Sequence, residues 1–334
     1  MIDITFIIPA YNCGDSISRA VKSIEKHSNK IDYEILIIEN GSTDNTNLII
    51  EQLAKKNKRI KIFHSQKGVS RARNKGLDYA LGKWIWFVDA DDCVTTNVKN
   101  ILSHKNIVST DLIIGEYVVN TSVVNMSNDI KILRENKFEQ YILNMISAPN
   151  RYMTIWNKLF RTSIIKKNQI KFDDSLKVAE DSQFLFDYLQ KAKSLVLLDY
   201  VIYQYSTNTN STVRSLQLND IDEYTIAMQK MKSRIGNNTK LNRAIYKYIC
   251  SNFSVAMVRI LFANNHLSFF RKVVLLKKYG AQLVYKNSFS NLRLKDLKSY
   301  QLIPSICLKF DFFLLAGCMF QFKADLNYRR ENNV

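Results

Sequence analysis

Cysteine, histidine, glycine and proline are all scarce in this chain of 334 residues. The five cysteines are irregularly spaced without a CxxC pair, and there are only four histidines. This pattern argues against a disulfide framework, a zinc knuckle or a histidine-rich metal site, and it fits a reducing compartment. Nine glycines and three prolines exclude collagen-like and low-complexity chains. With 46% hydrophobic and 11% aromatic residues the chain can build a core, which excludes disorder.

We expect neither a signal peptide nor a membrane-spanning helix in this sequence. The N-terminus lacks the basic n-region of a signal peptide and soon reaches Pro9. The longest apolar stretch covers residues 302–322, but Lys309 and Asp311 lie inside it. A spanning helix needs about 20 residues nearly free of charge. We therefore expect this stretch to be buried or interfacial, and the protein to be cytoplasmic or peripheral on the inner face of the cell membrane.

Positive charge is abundant but unevenly placed. Lys and Arg number 48 against 30 Asp and Glu, a net charge of +18. Residues 220–334 hold 19 basic and 7 acidic residues, so +12 of the total lies there. An anionic membrane surface, a polyanionic ligand or nucleic acid would each suit this excess. A second subunit packed against the same region is a further expectation.

The first 115 residues alternate between two kinds of pattern. Short apolar runs typical of buried strands cover residues 5–8, 33–38, 60–64, 84–88 and 112–114. Helical spacing separates them; Ile17, Val21 and Ile24 are one example. We expect Ser42 or Thr43 to cap the second helix, and the third to cover residues 69–81 and end at a C′ glycine, Gly82. The alternation predicts an α/β, Rossmann-like fold with a mostly parallel central sheet flanked by helices.

The rest of the chain is less regular. Residues 137–146, 156–167 and 181–192 have helical patterns, and residues 195–205 are predicted to form a strand. From residue 220 onward the pattern is mainly helical. We therefore expect a basic helical C-terminal region over residues 216–334, following an α/β domain over 1–215 with halves 1–115 and 116–215.

Carboxylates cluster where the fourth predicted strand ends. Asp89, Asp91 and Asp92 follow the apolar run directly. In open α/β sheets ligands bind at the carboxyl ends of the strands. Clustered carboxylates there suit Mg²⁺ or Mn²⁺, which would in turn hold phosphate oxygens. A polar turn that caps the next helix is the alternative interpretation.

Other polar side chains come to the same predicted edge. Pro9 and Tyr11 end the first strand, where the tyrosine could pack against a flat base. Glu39 ends the second and could accept a hydrogen bond from a base or ribose. Downstream, Glu180 and Asp181 open a helix, which is ordinarily a capping effect but could supply a general base.

Taken in order, six motifs resemble the inverting family 2 glycosyltransferases of the GT-A fold. They are Pro9-Ala10-Tyr11-Asn12, Asn40-Gly41-Ser42-Thr43-Asp44, Ala72-Arg73-Asn74-Lys75-Gly76, Asp89-Ala90-Asp91-Asp92, Trp156-Asn157-Lys158-Leu159-Phe160 and Glu180-Asp181. The resemblance covers roughly residues 3–215, which makes 1–215 the expected catalytic domain, with a nucleotide-binding and an acceptor half. It implies transfer of a hexosyl or N-acetylhexosaminyl group from a nucleotide sugar, expected to be a UDP-sugar. The implied acceptor is a glycan or lipid-linked glycan of a bacterial capsule, O-antigen or related surface polysaccharide.

The resemblance also implies a role for each matching residue. Asp181 would be the catalytic base, and Asp91 with Asp89 would hold Mn²⁺ or Mg²⁺. Trp156 and Glu180 would contact the acceptor. The donor would be bound by Pro9, Tyr11, Glu39, Arg73, Asp89, Asp92 and Lys158.

Two positions depart from the family pattern. Glu39-Asn40 stands where relatives usually have two aspartates, and Ser206 stands where they often have a basic residue, with Arg214 a weak substitute. The main alternative function is a basic nucleic-acid-binding or membrane-binding protein without transferase activity. No DNA- or RNA-recognition signature is present, so we expect no nucleic-acid partner.

Overall fold

The computed structural model describes residues 1–104, 107, 109–127, 131–207, 217–236, 238–294, 296 and 302–332. The chain divides into two compact units. The first holds residues 1–142, 154–175 and 180–208; the second holds 143–153, 176–179 and 209–334. Two short segments of the expected catalytic domain cluster with the C-terminal region, and the boundary at residue 215 stays a prediction. The subdivision at residue 115 stays a prediction.

The first unit is built on one sheet. Its strands are β1 (Ile4–Ala10), β2 (Tyr33–Glu39), β3 (Ile60–His64), β4 (Trp84–Phe87), β5 (Cys93–Val94), β6 (Leu112–Val119), β7 (Ser122–Val124), β8 (Lys131–Arg134), β9 (Lys158–Arg161) and β10 (Ser194–Tyr205). The main order is β3-β2-β1-β4-β9-β6-β10-β5. Strands β1 to β4 pair in parallel, as do β6 and β10, whereas β9 runs antiparallel to both its neighbours. The predicted α/β fold class is confirmed, with a mixed sheet that contains parallel strands β1 to β4 and a second parallel pair, β6 and β10.

Helices accompany the strands and then dominate the second unit. In chain order they are α1 (Gly14–Ser28), α2 (Thr46–Lys56), α3 (Val69–Tyr79), α4 (Val98–Leu102), α5 (Glu135–Ser147), α6 (Pro149–Tyr152), α7 (Thr162–Asn168), α8 (Glu180–Leu189), α9 (Asp220–Ser233), α10 (Thr239–Ala256), α11 (Phe269–Gly280), α12 (Leu283–Ser290), α13 (Ile303–Lys309) and α14 (Phe313–Asn332). Ile17, Val21 and Ile24 on α1 are fully buried, as their spacing predicts.

The helix predicted over residues 156–167 is wrong in its first half. Residues 158–161 form β9, and only α7 after them is helical. β9 lies between β4 and β6, so three of its four residues are buried on the two faces of the sheet. A short strand buried on both faces has no period-2 pattern, and its apolar run cannot be told from a helix by periodicity.

Two predicted helix ends are also wrong. Neither Ser42 nor Thr43 caps α2; instead the Asp44 carboxylate accepts from the Thr46 amide at 3.0 Å. Helix α3 ends at Tyr79, and no glycine occupies its C′ position. Gly82 is needed for a different reason: a Cβ there would lie 2.4 Å from the Thr5 backbone nitrogen. The glycine allows the chain to pass close to β1 before β4 begins.

The second unit has a helical core, as predicted for the C-terminal region. The Phe253 ring on α10 lies 4.6 Å from that of Tyr285 and 5.2 Å from that of Phe289, both on α12. The Phe320 ring on α14 belongs to the same cluster, with its centroid 6.4 Å from that of Phe253. Within the described part of the chain, none of the helices combines the length and the apolar character that crossing a membrane requires.

Candidate active site

Three parallel strands deliver polar residues to one edge of the sheet. Strands β1 and β2 are in register from Ile4 with Tyr33 to Ala10 with Glu39, and β4 pairs with the other side of β1. Because the strands are parallel, the residues after their carboxyl ends lie along the same edge. The structure thus brings together the motifs that follow β1, β2 and β4.

Tyr11 and Lys67 form one side of this edge. Tyr11 is 39% exposed, and the Lys67 ammonium donates to its hydroxyl at 2.7 Å and lies 4.5 Å from its ring centroid. Pro9, at the end of β1, is half-buried. A partly exposed aromatic face backed by a cation is a suitable surface for a flat ring. The predicted contact of Pro9 and Tyr11 with a nucleotide base stays a prediction.

Glu39 is held as an ionised acceptor. Its carboxylate accepts from the Ser42 amide and lies 3.3 Å from Nδ1 of His64, whose ring is exposed. Burial acts to raise the pKa of Glu39, but hydrogen bonds from the Ser42 and Gly41 amides outweigh it and lower that pKa. Glu39 therefore keeps its charge at neutral pH.

The neighbouring Asn40 has a structural task. Its Oδ1 accepts from the Gly68 amide at 2.9 Å, which joins the loop after β2 to the start of α3. Gly68 has φ of +135°, a conformation that favours glycine. An amide can make this bond without burying a charge, which explains why a neutral residue stands here.

The loop after β4 is fixed by a buried carboxylate. Asp92 is fully buried and accepts from the Tyr203 hydroxyl and the Ser206 amide, both at 2.7 Å. The same hydroxyl accepts from the Asp89 amide at 3.0 Å, so Tyr203 links both ends of the carboxylate motif. Burial raises the pKa of Asp92 to about 8, and repulsion from Asp89 adds to the shift. A direct contact between Asp92 and a donor stays a prediction.

Tyr203→Phe tests this linkage. The substitution removes the hydroxyl and leaves one oxygen of the buried Asp92 unpaired, so the unfolding free energy should fall by about 1–3 kcal/mol. Urea unfolding followed by tryptophan fluorescence measures it, because all three tryptophans lie in the first unit. Tyr79→Phe, at a 45% exposed ring on α3, is the matched control and should change little. Equal stability of the two variants would contradict the proposed link.

Trp156 packs against the Tyr203 ring. The two rings stack at 4.9 Å, and Tyr205 stacks on the same indole at 5.4 Å. Trp156 is only 7% exposed, so most of its surface is used inside the protein. Its predicted contact with an acceptor stays a prediction.

Arg73 joins the carboxylates of two distant motifs. This buried guanidinium pairs through one nitrogen with Asp181 at 2.5 Å and Glu180 at 3.4 Å, and through another with Asp89 at 3.2 Å. Burial acts to lower the pKa of Arg73, but the three carboxylates outweigh it and raise that pKa. The observed partners of Arg73 are these carboxylates, and its predicted contact with donor phosphates stays a prediction.

Asp181 has the properties of a proton acceptor. It opens α8, is 26% exposed and is oriented by Arg73. Burial raises its pKa to about 8; Arg73 opposes the shift, while Glu180 and Asp89 add to it. A carboxylate with a raised pKa is a stronger base than a free one, which is the usual tuning of a general base.

Lys158 is fully buried at the start of β9. Its ammonium donates to the side chains of Asn157 at 2.7 Å and Thr154 at 3.4 Å. Burial lowers its pKa to about 7, although the negative charge of Asp181 opposes the shift. The structure thus places Lys158 within the electrostatic reach of Asp181, and its predicted contact with the donor stays a prediction.

The carboxylates at this edge suit a divalent cation that is also coordinated by phosphate oxygens of the substrate. Within the ranges described above, no three His, Cys, Asp or Glu side chains converge into a complete metal cage. Mg²⁺ in phosphate-handling sites usually takes only one or two carboxylates plus phosphate oxygens. Asp91 is half-buried and Asp89 is 30% exposed, so both offer hard oxygen ligands at this edge. These residues fit Mn²⁺ or Mg²⁺.

Sequence reasoning missed Arg19 and the role of Tyr203. Arg19 on α1 is exposed and donates to the Asp91 carbonyl at 2.7 Å and to the Ser206 hydroxyl at 3.3 Å. It puts a cation beside Ser206, where the family pattern implies one; Arg214 lies outside the described residues. A tyrosine inside an apolar strand needs a partner for its hydroxyl, a signal that could have indicated Tyr203.

Comparisons with known proteins agree with this arrangement. The family model "Glycosyl transferase family 2" matches residues 5–168, about half the chain. The "uncharacterized glycosyltransferase EpsJ" of Bacillus subtilis is 26% identical over 270 residues, 74% of each chain. The poly(ribitol-phosphate) beta-N-acetylglucosaminyltransferase TarP of Staphylococcus aureus is 28% identical over 214 residues, 61% of this chain and 62% of TarP.

A solved structure shows the same fold. S. aureus TarS 1-349, crystallised with UDP-GlcNAc, matches with a TM-score of 0.66 at 18% identity, over 99% of this chain and 92% of that one. The fold and the carboxylate-lined edge define an enzyme of the GT-A glycosyltransferase class. The chain belongs to glycosyltransferase family 2 and is related to enzymes of bacterial polysaccharide synthesis. The predicted family, fold class and enzyme class are thereby confirmed.

Proposed function

We propose that the chain transfers a hexosyl or N-acetylhexosaminyl group from a UDP-sugar to a hydroxyl of a glycan acceptor, with inversion at the anomeric carbon. The observation that supports this most is the Arg73 cluster. One guanidinium holds Asp181 and Glu180 beside Asp89, at the edge where β1, β2 and β4 end. The candidate base Asp181 and the candidate donor-binding residue Asp89 are thus joined through the Arg73 guanidinium.

The proposed reaction is a single displacement. An Asp181 oxygen takes the proton of the acceptor hydroxyl while that oxygen forms a bond to the anomeric carbon. The bond from this carbon to the diphosphate oxygen breaks on the opposite face, so the nucleoside diphosphate leaves with the bonding pair. Arg73 orients Asp181, and Tyr11 with Glu39 orients the base and ribose. Glu180 and Trp156 lie on the proposed acceptor side.

Charge on the leaving diphosphate is the main obstacle to this step. A divalent cation held by Asp91 and Asp89 would neutralise part of that charge. The exposed guanidinium of Arg19, which already contacts the Asp91 carbonyl, lies where it can add to the effect. Asp92 and Lys158 are proposed donor-binding residues whose side chains are fully buried in the structure.

An anionic acceptor would suit the C-terminal charge. TarP is named for a poly(ribitol-phosphate) acceptor, a chain of negative charges. The net charge of +12 over residues 220–334 supports a comparable acceptor here, either a capsule, O-antigen or related surface glycan or its lipid-linked precursor. It equally supports peripheral attachment to the inner face of the cell membrane. A second subunit bound to the same region is the competing arrangement.

A screen of nucleotide sugars tests enzyme class and donor together. In thermal unfolding with Mn²⁺, a UDP-sugar at about 100 times its Kd should stabilise the protein by roughly 2.7 kcal/mol. The same sugar should be hydrolysed slowly without an acceptor. Omission of Mn²⁺ and replacement of UDP-sugars by GDP-sugars are the controls. Stabilisation by single-stranded or duplex nucleic acid, with no response to any nucleotide sugar, would overturn the proposal.

A further inference from the structure

The second unit carries a compact group of exposed apolar side chains. We refer to Phe310, Phe312, Leu314, Leu315 and Phe322 together as the apolar cap. Each is between 50% and 67% exposed. Phe310 and Phe312 pack on each other with ring centroids 6.4 Å apart, in the turn that leads into α14. Leu314 and Leu315 follow in its first turn and Phe322 lies two turns further along, so the cap extends over the first half of this helix.

The cap is not the face by which α14 packs in its own unit. Ala316, Gly317, Phe320 and Ala324 are the buried positions of the helix, at the spacing of one helical stripe. Leu315 and Phe322 are seven residues apart and lie on another face, with the exposed Cys318 between them. Among the described residues, the helix therefore has one apolar face that is buried in its own unit and a second that is exposed.

Helix α11 places basic side chains beside the cap. It contacts α14 in antiparallel fashion, because Lys277 lies 5.8 Å from the Phe313 ring while Lys272 donates to Gln321 at 3.0 Å. A Cβ on Gly317 would lie 2.9 Å from a Val273 methyl group, so the two helices are very close. Helix α11 contains four basic residues and no acidic one.

The exposed face of α11 combines apolar and basic side chains. Phe270 is 74% and Val274 is 57% exposed, and Lys277 continues that stripe at the end of the helix. Arg271 and Lys278 are exposed as well. The acidic residues on or just before α14 are Asp311, inside the cap, Asp325, which accepts from Gln321 at 2.8 Å, and Glu331 near the end of the helix. Together, α11 and residues 309–332 contain eight basic and three acidic residues.

We propose that the apolar cap and the basic face of α11 dock this protein onto an anionic lipid bilayer, with the cap entering the interfacial layer. Exposed Phe and Leu side chains next to Lys and Arg are the composition of interfacial segments, which combine apolar burial with attraction to anionic lipid. A second copy of the chain fits less well, because a symmetric contact would bring two surfaces of the same positive sign together.

Docking onto a bilayer would also suit a lipid-linked acceptor. This connection to the acceptor rests on the proposed function, whereas lipid binding does not. Peripheral attachment would hold the enzyme at the surface where such an acceptor is presented. Lipid docking itself requires no donor and no turnover, so a binding assay tests it independently of the chemistry.

Co-sedimentation of the full chain with vesicles tests the proposal. Binding should be strong to phosphatidylcholine vesicles that contain phosphatidylglycerol, weak to phosphatidylcholine alone, and lost at high salt. Lys277→Glu with Lys278→Glu should weaken it by at least about tenfold, since each basic residue near the surface contributes roughly fivefold. The charge-matched control is Lys55→Glu with Lys56→Glu on the exposed face of α2, which should bind normally.

The apolar contribution needs its own variant. Phe312→Ser, Leu315→Ser and Phe322→Ser together should weaken binding at least about tenfold, whereas Leu48→Ser with Leu81→Ser, at exposed sites in the first unit, should not. Unchanged vesicle binding by the cap variant would overturn the proposal. So would equal binding to neutral and anionic vesicles. A dimer in light scattering that the cap variant converts to a monomer, without vesicle binding, would assign the surface to a second copy.

Discussion

Replacement of Asp181 by Asn should lower kcat by about 10²–10⁴-fold with a verified donor and acceptor, because that is the usual contribution of general-base catalysis. The amide keeps the size of the side chain and can still contact Arg73, which retains Asp89 and Glu180 as partners. Donor binding measured by calorimetry with Mn²⁺ should therefore change little. The expected signature is a loss of turnover without a comparable loss of nucleotide affinity.

Two comparison variants separate the base from its surroundings. Asp174→Asn removes an exposed aspartate that also pairs with an arginine, Arg71 at 3.2 Å, and should leave turnover unchanged. Glu180→Gln removes the other carboxylate beside the same Arg73 nitrogen. If this variant lost more activity than Asp181→Asn, Glu180 would be the base. In the unaltered enzyme kcat/KM should rise as pH passes about 8, where Asp181 loses its proton.

The edge of the site could be predicted from sequence because parallel strands place their following residues by topology alone. Once β1, β2 and β4 were recognised as apolar runs, Tyr11, Glu39 and Asp89 had to lie along one edge. The possible role of each, as an aromatic surface, a hydrogen-bond acceptor or a metal ligand, then followed from its residue type. The same reasoning located Asp181 only at the start of a helix. Its distance from Asp89 depended on where β9, β6 and α8 pack, which no local pattern contains.

What sequence could not predict was the use of each charge inside the site. Arg73, Asp92 and Lys158 match motif positions that imply contact with a donor, which stays a prediction, and all three are also buried and bonded to protein groups. Burial of a charged side chain depends on partners far away in the chain, such as Tyr203 for Asp92. The mistaken helix over residues 156–161 has a related origin, since a strand buried on both faces shows no alternation.

Asp91→Ala should abolish most metal-dependent nucleotide binding. Loss of an outer-shell partner already costs about 10–100-fold in metal affinity, so loss of a ligand should cost at least about 100-fold. The loop itself should persist: Arg19 contacts the Asp91 carbonyl, which the substitution keeps, and Asp92 stays bonded to Tyr203 and Ser206. Any loss of affinity therefore reports on the carboxylate and not on a collapsed site.

Calorimetric titration of UDP into the protein, with and without Mn²⁺, makes the measurement. The unaltered protein should bind UDP far more tightly with Mn²⁺, whereas Asp91→Ala should bind weakly and show no response to the ion. Asp78→Ala is the matched control, because Asp78 is an exposed aspartate that pairs with Lys171 on the surface. Undiminished binding of UDP with Mn²⁺ to Asp91→Ala would remove Asp91 from the metal site. A metal-independent affinity in both proteins would instead leave charge neutralisation to Arg19 and its neighbours.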